Sequence, residues 1–434
     1  MKIFYYTFGC KVNQYETENV RELFEMKGHE TVSNPKEADV CVINSCTVTA
    51  QADSKCFQML RRLRKQLPEG IIVLAGCLPQ TLDPDTDDLA LCDIIVGTNE
   101  KRIIPELVER FIVEGERIVR IKEHSRGEAF EVMTNYGDKR KTRAYIKIQD
   151  GCDCYCTYCI IPYARGHIRS KPLDELLKEA ESLISAGHKE LILTGINLCF
   201  YGKDLPERPT LTDVVEKLCS LSGDFRVRLG SIEPEMLPEN DIIILSKLDK
   251  LCPHFHLSLQ SGCSDTLKRM NRRYSSEEFS DLCNSLRTHF PDCAITTDIM
   301  VGFPGETEAE FENSLEFVRK ISFAESHVFP YSRRPGTKAD TMEGQVDQHT
   351  KHQRAKRMTE VCHETRKAYL KSCIGKEYTV LFERETEPNY YIGHAPNYIT
   401  VKVPRADASH SLRRELKKVI IVSSDDEFCY GRFI

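Results

Sequence analysis

The chain has 434 residues, of which 41% are hydrophobic and 29% are charged, and its formal net charge is −6 at pH 7. These proportions are typical of a soluble globular protein with two or three domains, and no apolar run is long enough to span a membrane. The N-terminus lacks the features of a signal peptide, so we expect the nineteen cysteines to reside in the reducing cytoplasm as metal ligands, catalytic groups or buried residues.

The first hundred residues alternate short apolar runs with helical segments. Runs that predict buried strands lie at 3–6, 40–43, 71–75 and 93–97, and the segments at about 13–27, 50–66 and 101–110 have helical length and composition. Strands that alternate with helices predict a parallel sheet with right-handed crossovers.

Three cysteines stand just beyond the ends of these strands. Cys10, Cys46 and Cys77 occur in TFGC, NSC and AGC, and the loops after parallel strands gather at one edge of the sheet. We therefore expect these three thiols to converge into one site. By contrast, we interpret Cys41, Cys56 and Cys92 as packing residues.

A second cysteine cluster lies in GCDCYCTYCIIPYARG, residues 151–166. Cys152, Cys156 and Cys159 are spaced C-x3-C-x2-C, and three thiolates leave a four-iron cluster with one iron open to a substrate. This spacing resembles that of radical S-adenosylmethionine (SAM) enzymes. The alternative is a closed zinc or iron–sulfur site with four cysteines, in which Cys154 would be the additional ligand.

From residue 144 onward the alternation repeats with a longer stride. Candidate strands lie at 144–148, 190–195, 225–230, 254–260, 294–302 and 325–331, with helical segments between them. Six such units suit the open six-stranded barrel typical of radical SAM enzymes, in which functional groups lie at the carboxyl ends of the strands.

Polar residues and glycines at these strand ends are candidate cofactor contacts. They are Gly195, Ser231, Glu233, Gln260 and Asp298, to which we add Tyr158 of the cysteine loop. A carboxylate can accept hydrogen bonds from ribose hydroxyls or an ammonium group, and a glycine admits a close ligand. His254 and His256 alternate on one strand, and we expect only one of them to face the barrel interior.

The remaining chain predicts a basic helix, at about 346–371, followed by β-type runs at 378–383, 398–403 and 417–422. These runs indicate a small all-β barrel, a common RNA-binding form. Basic residues fall into three groups that suggest a localised surface for a polyanion, although each is also compatible with a solvated helix face. The groups are Lys139–Arg143, the eight Lys and Arg residues between Lys351 and Lys376, and Arg413, Arg414, Lys417 and Lys418.

Several motifs together resemble the methylthiotransferase family over essentially the whole chain. They are TFGCKVNQYE, VINSC, LAGC, the 151–166 cysteine loop, HLSLQSG, DIMVGFPGETEAEF and FPYSRRPGT, with a C-terminal segment similar to the TRAM RNA-binding domain. The resemblance implies an α/β fold with a Rossmann-like parallel sheet domain (1–135), an open (β/α)6 radical SAM barrel (138–370) and a small all-β TRAM-like domain (371–434).

Within that family, GCKVNQYE and FPYSRRPGT resemble the branch that acts on N6-threonylcarbamoyladenosine in tRNA. The resemblance implies that Cys152, Cys156 and Cys159 hold a [4Fe–4S] cluster that binds SAM, and that Cys10, Cys46 and Cys77 hold an auxiliary [4Fe–4S] cluster. One SAM would yield the radical that activates C2 of the adenine 3′ to the anticodon, and a second SAM would methylate the inserted sulfur. The implied partners are a tRNA anticodon stem-loop and an electron donor such as flavodoxin or ferredoxin, with the enzyme expected to be a monomer.

Other functions remain open at this point. Sister branches of the family act on isopentenyladenosine in tRNA, where the first motif is closer to GCQMN, or on an aspartate of a ribosomal protein. A non-enzymatic iron–sulfur RNA-binding protein would have closed cysteine sites and would not bind SAM. A thiol–disulfide oxidoreductase lacks support, because the only C-x2-C spacing lies inside the cysteine loop.

Overall fold

The computed structural model describes residues 1–133, 141–234, 237–384, 387, 389–405 and 411–434. The predicted boundary between the first two domains and the basic residues Lys139 and Arg140 therefore lie outside the described residues. Among the helices in the described ranges, none is long and apolar enough to cross a membrane.

The N-terminal segment forms one six-stranded sheet in which every pairing is parallel, as predicted. Its strands are β1 (Lys2–Thr7), β2 (Glu30–Val32), β3 (Val40–Ser45), β4 (Ile71–Gly76), β5 (Ile94–Val96) and β6 (Ile118–Arg120). Its helices are α1 (Lys11–Met26), α2 (Ala50–Gln66), α3 (Cys77–Thr81) and α4 (Ile104–Glu114). The strand order is β2-β1-β3-β4-β5-β6. The sequence did not predict the edge strands β2 and β6, because three residues are too short to show a hydrophobic period.

The middle of the chain forms the partial barrel. Its strands are β7 (Arg143–Lys147), β8 (Gln149–Asp150), β9 (Arg169–Ser170), β10 (Glu190–Thr194), β11 (Arg226–Leu229), β12 (Ser231–Ile232), β13 (His254–Gln260), β14 (Ala294–Val301) and β15 (Glu325–Pro330). Its helices are α5 (Ile161–Arg165), α6 (Leu173–Ser185), α7 (Leu211–Ser220), α8 (Glu239–Leu245), α9 (Ser264–Arg269), α10 (Ser276–His289), α11 (Glu308–Ile321) and α12 (Gln348–Ser372).

The six predicted barrel strands are all present, but the third is split at Gly230. Its first part, β11, pairs with β10 in the order β11-β10-β7, and its second part, β12, pairs with β13 in the order β12-β13-β14-β15. The large core lies between these strands and the surrounding helices. Strands β7 and β15 are the free edges, so the barrel is open between them, as expected.

The C-terminal segment forms a closed β-barrel with the strand order β16-β17-β18-β20-β19. Its strands are β16 (Glu377–Arg384), β17 (Tyr390–His394), β18 (Thr400–Pro404), β19 (Leu416–Ser424) and β20 (Cys429–Phe433). It packs against the amino ends of the large barrel's strands, where Arg226 and Arg228 begin β11. Arg226 donates to His394 O at 2.9 Å, and Arg228 donates to Pro396 O at 2.8 Å.

The N-terminal domain contacts both free edges of the partial barrel. On β7, Lys147 pairs with Glu16 of α1 at 2.8 Å. Beyond β15, Arg334 donates to Thr47 and to Asp53, each at 2.6 Å. The domain that carries one cysteine set thus lies across the opening of the domain that carries the other.

Candidate active site

The first three predicted cysteines meet at the carboxyl edge of the N-terminal sheet. Cys10 caps the start of α1, Cys46 directly follows β3, and Cys77 begins α3 after β4. Asn13 connects two of these loops, because its Oδ1 accepts from Cys10 Sγ at 3.3 Å and its Nδ2 donates to Ser45 O at 2.8 Å. The parallel topology therefore brings Cys10, Cys46 and Cys77 together at one edge of the sheet, although Cys10 and Cys77 are 67 positions apart in the sequence.

Two glycines with positive φ hold this edge close-packed. Gly9 has φ +104°, and a Cβ built there would lie 2.6 Å from the Cβ of Cys46. Gly76 has φ +105°, and its Cβ would lie 2.5 Å from Ser45 O. Each glycine directly precedes a cysteine, so the TFGC and AGC patterns supply both the thiol and the tight turn that presents it.

The second cysteine set lies in the loop after β8. Cys152 N donates to Gly166 O at 3.0 Å, and Cys159 N donates to Cys156 O at 2.9 Å, so the loop folds back on itself. Thr157 N donates to Met270 O at 3.0 Å, which anchors the loop to the segment after α9. Cys154 and Cys156 are buried in a small hydrophobic cluster with Phe200, and Cys152 and Cys159, which are partly buried, pack against it.

Burial raises the pKa of several thiols in both sets. The pKa of Cys46 rises to about 12 through burial and the neighbouring Cys77, and the pKa of Cys159 rises to about 12 through burial and Cys156. Burial likewise raises the pKa of Cys77 and Cys156. Clustered thiols that resist ionisation on their own suit a metal cluster, because bound metal deprotonates its thiol ligands.

Arg272 is a site residue that the sequence did not single out. Its Nη1 donates to Cys156 Sγ at 3.4 Å, and its guanidinium forms an ion pair with Glu233. Its Nη2 also donates to Ser258 O at 3.1 Å. A cation at the sulfur of a cysteine is what a negatively charged cluster requires, so the donor set fits an iron–sulfur group. The arginine's place in the loop MNRRY after α9 gave no signal of this contact.

Cys154 is a buried residue of this loop, and its thiol has a hydrogen-bond partner outside the cysteine set. Asn197 Nδ2 lies 3.9 Å from Cys154 Sγ, within hydrogen-bond range for sulfur. Asn271 Nδ2 donates to the backbone oxygens of Cys154 and Tyr155, at 3.4 and 3.1 Å. These contacts hold the middle of the loop without requiring the Cys154 thiol as a ligand.

The predicted SAM contacts lie mostly at the carboxyl ends of the barrel strands. Gly195 follows β10, Ser231 begins β12, Glu233 follows it and Gln260 ends β13. Ser231 Oγ is hydrogen-bonded to Ser258 Oγ at 2.9 Å. Gln260 has φ +66°, and its buried Oε1 has no hydrogen-bond partner in the described part of the chain. An acceptor left open at the barrel rim fits a ligand that brings its own donor, such as the amino group of SAM.

The other two candidates are Asp298, within a strand, and Tyr158, in the cysteine loop. Asp298 is three residues before the end of β14, where its side chain is 32% exposed between the fully buried Thr297 and Ile299. Since side chains alternate along a strand, Asp298 lies on the face opposite to these two buried neighbours. Tyr158 packs edge-on against Phe303 with ring centroids 6.4 Å apart.

The expectation that only one of His254 and His256 faces the interior was wrong. Both rings contact Thr296 Oγ1, at 3.2 Å for His254 and 3.0 Å for His256. Residues two apart on a strand point to the same face, so both side chains lie on one side of β13. His256 also contacts Asp298 at 3.3 Å.

The predicted basic surface of α12 is smaller than its sequence suggests. Lys351 and Arg354 are buried, and Arg354 pairs with Glu306 at 2.9 Å. The other basic residues of the segment that pair with carboxylates are Arg357, Arg366, Lys367 and Lys376. Lys356 and Lys371 are exposed.

Comparisons with known proteins agree with this arrangement. Residues 2–97 match the family described as Uncharacterized protein family UPF0004, and residues 146–318 match the Radical SAM superfamily. The chain is 36% identical to the threonylcarbamoyladenosine tRNA methylthiotransferase MtaB of Bacillus subtilis, over 99% of this chain and 96% of that protein. The MtaB of Thermotoga maritima is 37% identical, over 98% of this chain and 97% of that protein.

Other similar proteins are named for a different tRNA substrate. The tRNA-2-methylthio-N(6)-dimethylallyladenosine synthase of Caldicellulosiruptor saccharolyticus is 33% identical, over 99% of this chain and 91% of that protein. Among solved structures, the radical SAM methyltransferase TsrM from Kitasatospora setae matches with a TM-score of 0.57 and 14% identity, over 78% of this chain and 75% of that chain. This last likeness is one of fold.

Proposed function

The chain belongs to the methylthiotransferase family of radical SAM enzymes, and on that premise we propose that it adds a methylthio group to C2 of N6-threonylcarbamoyladenosine, 3′ to the anticodon of a tRNA. We propose that Cys152, Cys156 and Cys159 hold the [4Fe–4S] cluster that binds SAM. We further propose that Cys10, Cys46 and Cys77 hold an auxiliary [4Fe–4S] cluster.

The observation that carries this proposal is that two separate groups of cysteines, each containing three of the proposed ligands, lie in one continuous structure. One set ends the strands of a parallel sheet, and the other lies in a loop at the top of the barrel that this sheet covers. A single electron-transfer cluster would need only one set, and a closed structural site would use four ligands.

The target atom explains why two such sites are needed. C2 of adenine carries neither an acidic proton nor a leaving group, so side chains cannot activate it by acid–base catalysis. The clusters and SAM, when bound, supply the radical and sulfur chemistry. The chain's own residues would hold these groups and orient SAM at the barrel rim, and the hydrophobic cluster around Phe200 would limit the access of water to Cys156. An unpaired anticodon-loop base can enter such a site at small cost in stacking energy.

The choice of the threonylcarbamoyl branch rests on the GCKVNQYE motif and on the relatives of that name, which are aligned over 98–99% of this chain. Lys11 adds physical support, because it directly follows Cys10 and lies within electrostatic range of Asp298 and of the cations Arg228 and Arg143, so positive charge is gathered there. The threonylcarbamoyl group bears a carboxylate, whereas an isopentenyl group is neutral. A lysine that reaches the interior beside the auxiliary site therefore suits the carboxylate-bearing base.

The test is anaerobic reconstitution with iron and sulfide, followed by SAM, dithionite and tRNA. We expect about eight iron atoms per chain, two four-iron clusters, and a methylthio-threonylcarbamoyladenosine product in the nucleoside mass spectrum. About four irons with deoxyadenosine and no methylthio product would leave a radical SAM enzyme and refute the auxiliary site. A product on isopentenyladenosine tRNA, with none on threonylcarbamoyladenosine tRNA, would refute the branch.

A further inference from the structure

Arg165 is a fully buried arginine at the end of α5, six residues after Cys159. Its Nη2 donates to Asn13 Oδ1 at 3.1 Å, and its Nη1 donates to Glu16 Oε1 at 2.9 Å and to Asp150 at 3.1 Å. Few arginines are buried completely, and those that are must have their charge balanced by partners.

One arm of this guanidinium closes the base of the SAM-type cysteine loop. Asp150 directly precedes the 151–166 loop and Arg165 is near its end, so the ion pair between them joins the two ends of the segment. Asp150 Oδ1 also accepts from Gly151 N at 2.8 Å, and Gly166 O accepts from Cys152 N. The position of Cys152 therefore depends on this closure.

The other arm reaches the auxiliary site. Asn13 Oδ1 accepts from both Arg165 and Cys10, so a single side chain separates the guanidinium from that thiol. The helix α3, which begins with Cys77, packs against α5, which ends with Arg165.

Arg165 belongs to a buried network of charges. In it, Arg165, Lys147, Lys101 and Arg169 pair with the carboxylates of Glu16, Asp150 and Glu128. The buried Nε of Arg165 has no hydrogen-bond partner among the described residues. This N–H donor is therefore available to an anionic group beside Arg165.

We propose that Arg165 is a positioning residue that fixes the two cysteine sites relative to each other and donates through Nε to the sulfur atoms of the auxiliary cluster. The proposal rests on the two-cluster function above. A charged donor at the sulfurs stabilises the reduced cluster, which carries one more negative charge, and so raises its reduction potential.

The test uses full-length protein in which Cys152, Cys156 and Cys159 are replaced by Ala, so that only the auxiliary cluster can form. In this background, Arg165→Gln and Arg165→Lys are compared by iron content and by a redox titration followed by electron paramagnetic resonance. Arg354→Gln is the matched control, because Arg354 is also buried and pairs with a carboxylate, Glu306 at 2.9 Å, but its ion pairs do not involve Glu16 or Asp150.

We expect Arg165→Gln to make the midpoint potential more negative, Arg165→Lys to recover part of the loss through its retained charge, and Arg354→Gln to leave the potential unchanged. An unchanged potential in a folded, iron-loaded Arg165→Gln protein would overturn the proposal. If the Gln variant does not fold, the Lys variant is compared with the parent instead. Lysine keeps the charge but has no Nε donor, so its midpoint potential should still differ from that of the parent, and an unchanged potential would overturn the proposal. Absence of iron in the parent itself would instead refute the auxiliary cluster and the proposed function.

Discussion

Arg272 Nη1 lies 3.4 Å from the Sγ of Cys156, and the same guanidinium forms an ion pair with Glu233. A predicted cluster ligand and a predicted SAM contact are therefore joined by one arginine from a third loop. The electrostatic consequence is that the Cys156 sulfur and the Glu233 carboxylate share one positive charge, whose position is fixed by the fold.

Replacement of Arg272 by Gln should therefore slow SAM cleavage while leaving the fold intact. Loss of a charge-assisted hydrogen bond costs about 1.5–3 kcal/mol, which corresponds to roughly a ten- to hundredfold lower rate. The rate of deoxyadenosine formation in reconstituted enzyme measures this effect. The exposed neighbour Arg273, changed to Gln, is the control. Equal rates for the two variants would contradict the assigned role.

The two cysteine sets should separate the two halves of the reaction. Cys10→Ala should abolish methylthiolation, because the auxiliary cluster is lost, yet leave deoxyadenosine formation measurable. Cys156→Ala should abolish both products. Nucleoside mass spectrometry and iron content give the result, with Cys56→Ala as a control because Cys56 is buried in the apolar core between α2 and the sheet. Full methylthiolation by the Cys10 variant would disprove the two-cluster assignment.

Cys154 should be dispensable for cluster binding. Its thiol is within reach of Asn197, and we expect Cys154→Ala to retain both the iron content and the visible absorption of reconstituted wild-type protein. The cost should be limited to lost packing, about 1 kcal/mol in the free energy of unfolding. A fall of about four irons per chain would instead make Cys154 a ligand and support the closed four-cysteine alternative.

Lys11 should distinguish a charged from a neutral base. Lys11→Gln should reduce methylthiolation of stem-loops that contain threonylcarbamoyladenosine by tenfold or more, about 1.4 kcal/mol, because it removes the cation for the carboxylate. Lys11→Arg should retain most of the activity. Competition between stem-loops with and without the carboxylate measures the preference. An unchanged preference in the Gln variant would show that another group recognises the substituent.

The buried charge cluster at the interface of the first two domains should make stability depend on pH. Burial acts to raise the pKa of Glu16, but Arg165, Lys101 and Lys147 outweigh it and hold that pKa below its ordinary value of 4.5. The folded state thus binds fewer protons than the unfolded state. The stabilisation is complete above pH 4.5 and is lost as the pH falls towards the depressed folded-state pKa.

Thermal unfolding of metal-free protein tests this dependence. Glu16→Gln should cost about 3–5 kcal/mol at neutral pH, since it leaves buried cations without their partner, and the cost should shrink in acid. Glu25→Gln, at an exposed position of the same helix, should change stability by less than about 1 kcal/mol. An equal effect of the two changes, or a cost that grows in acid, would contradict the charge-cluster account.

The sequence was informative where local pattern and topology determine position. Cys10, Cys46 and Cys77 could be placed together because each follows a strand, and parallel strands end at a common edge. The barrel strands were recognised because they are apolar runs bounded by turn residues. The split at Gly230 could not be predicted, because it depends on which neighbour each half of the strand pairs with.

The contacts that complete the site come from distant segments and leave no local pattern. Arg272 meets Cys156 across 116 residues, and Arg165 meets Asn13 across 152. The same reason explains why the exposed positive charge of the basic helix was overestimated. Arg354 is neutralised by Glu306, which lies in the loop before α11, 48 residues away in the sequence. Charge counted along a sequence does not reveal which charges fold onto each other.

The attachment of the C-terminal barrel to the amino ends of the large barrel's strands has a consequence for the size of RNA that the enzyme can use. The cysteine loop lies at the opposite end, and an eight-residue strand such as β14 spans roughly 25 Å. If the proposed function is correct, an RNA bound to the C-terminal domain would have to span that height to reach the thiols of the 151–166 loop. The length of the large barrel would then set the minimum length of RNA that can contact both regions. We expect an anticodon arm shortened by a few base pairs to lose contact with either the C-terminal domain or the cysteine loop.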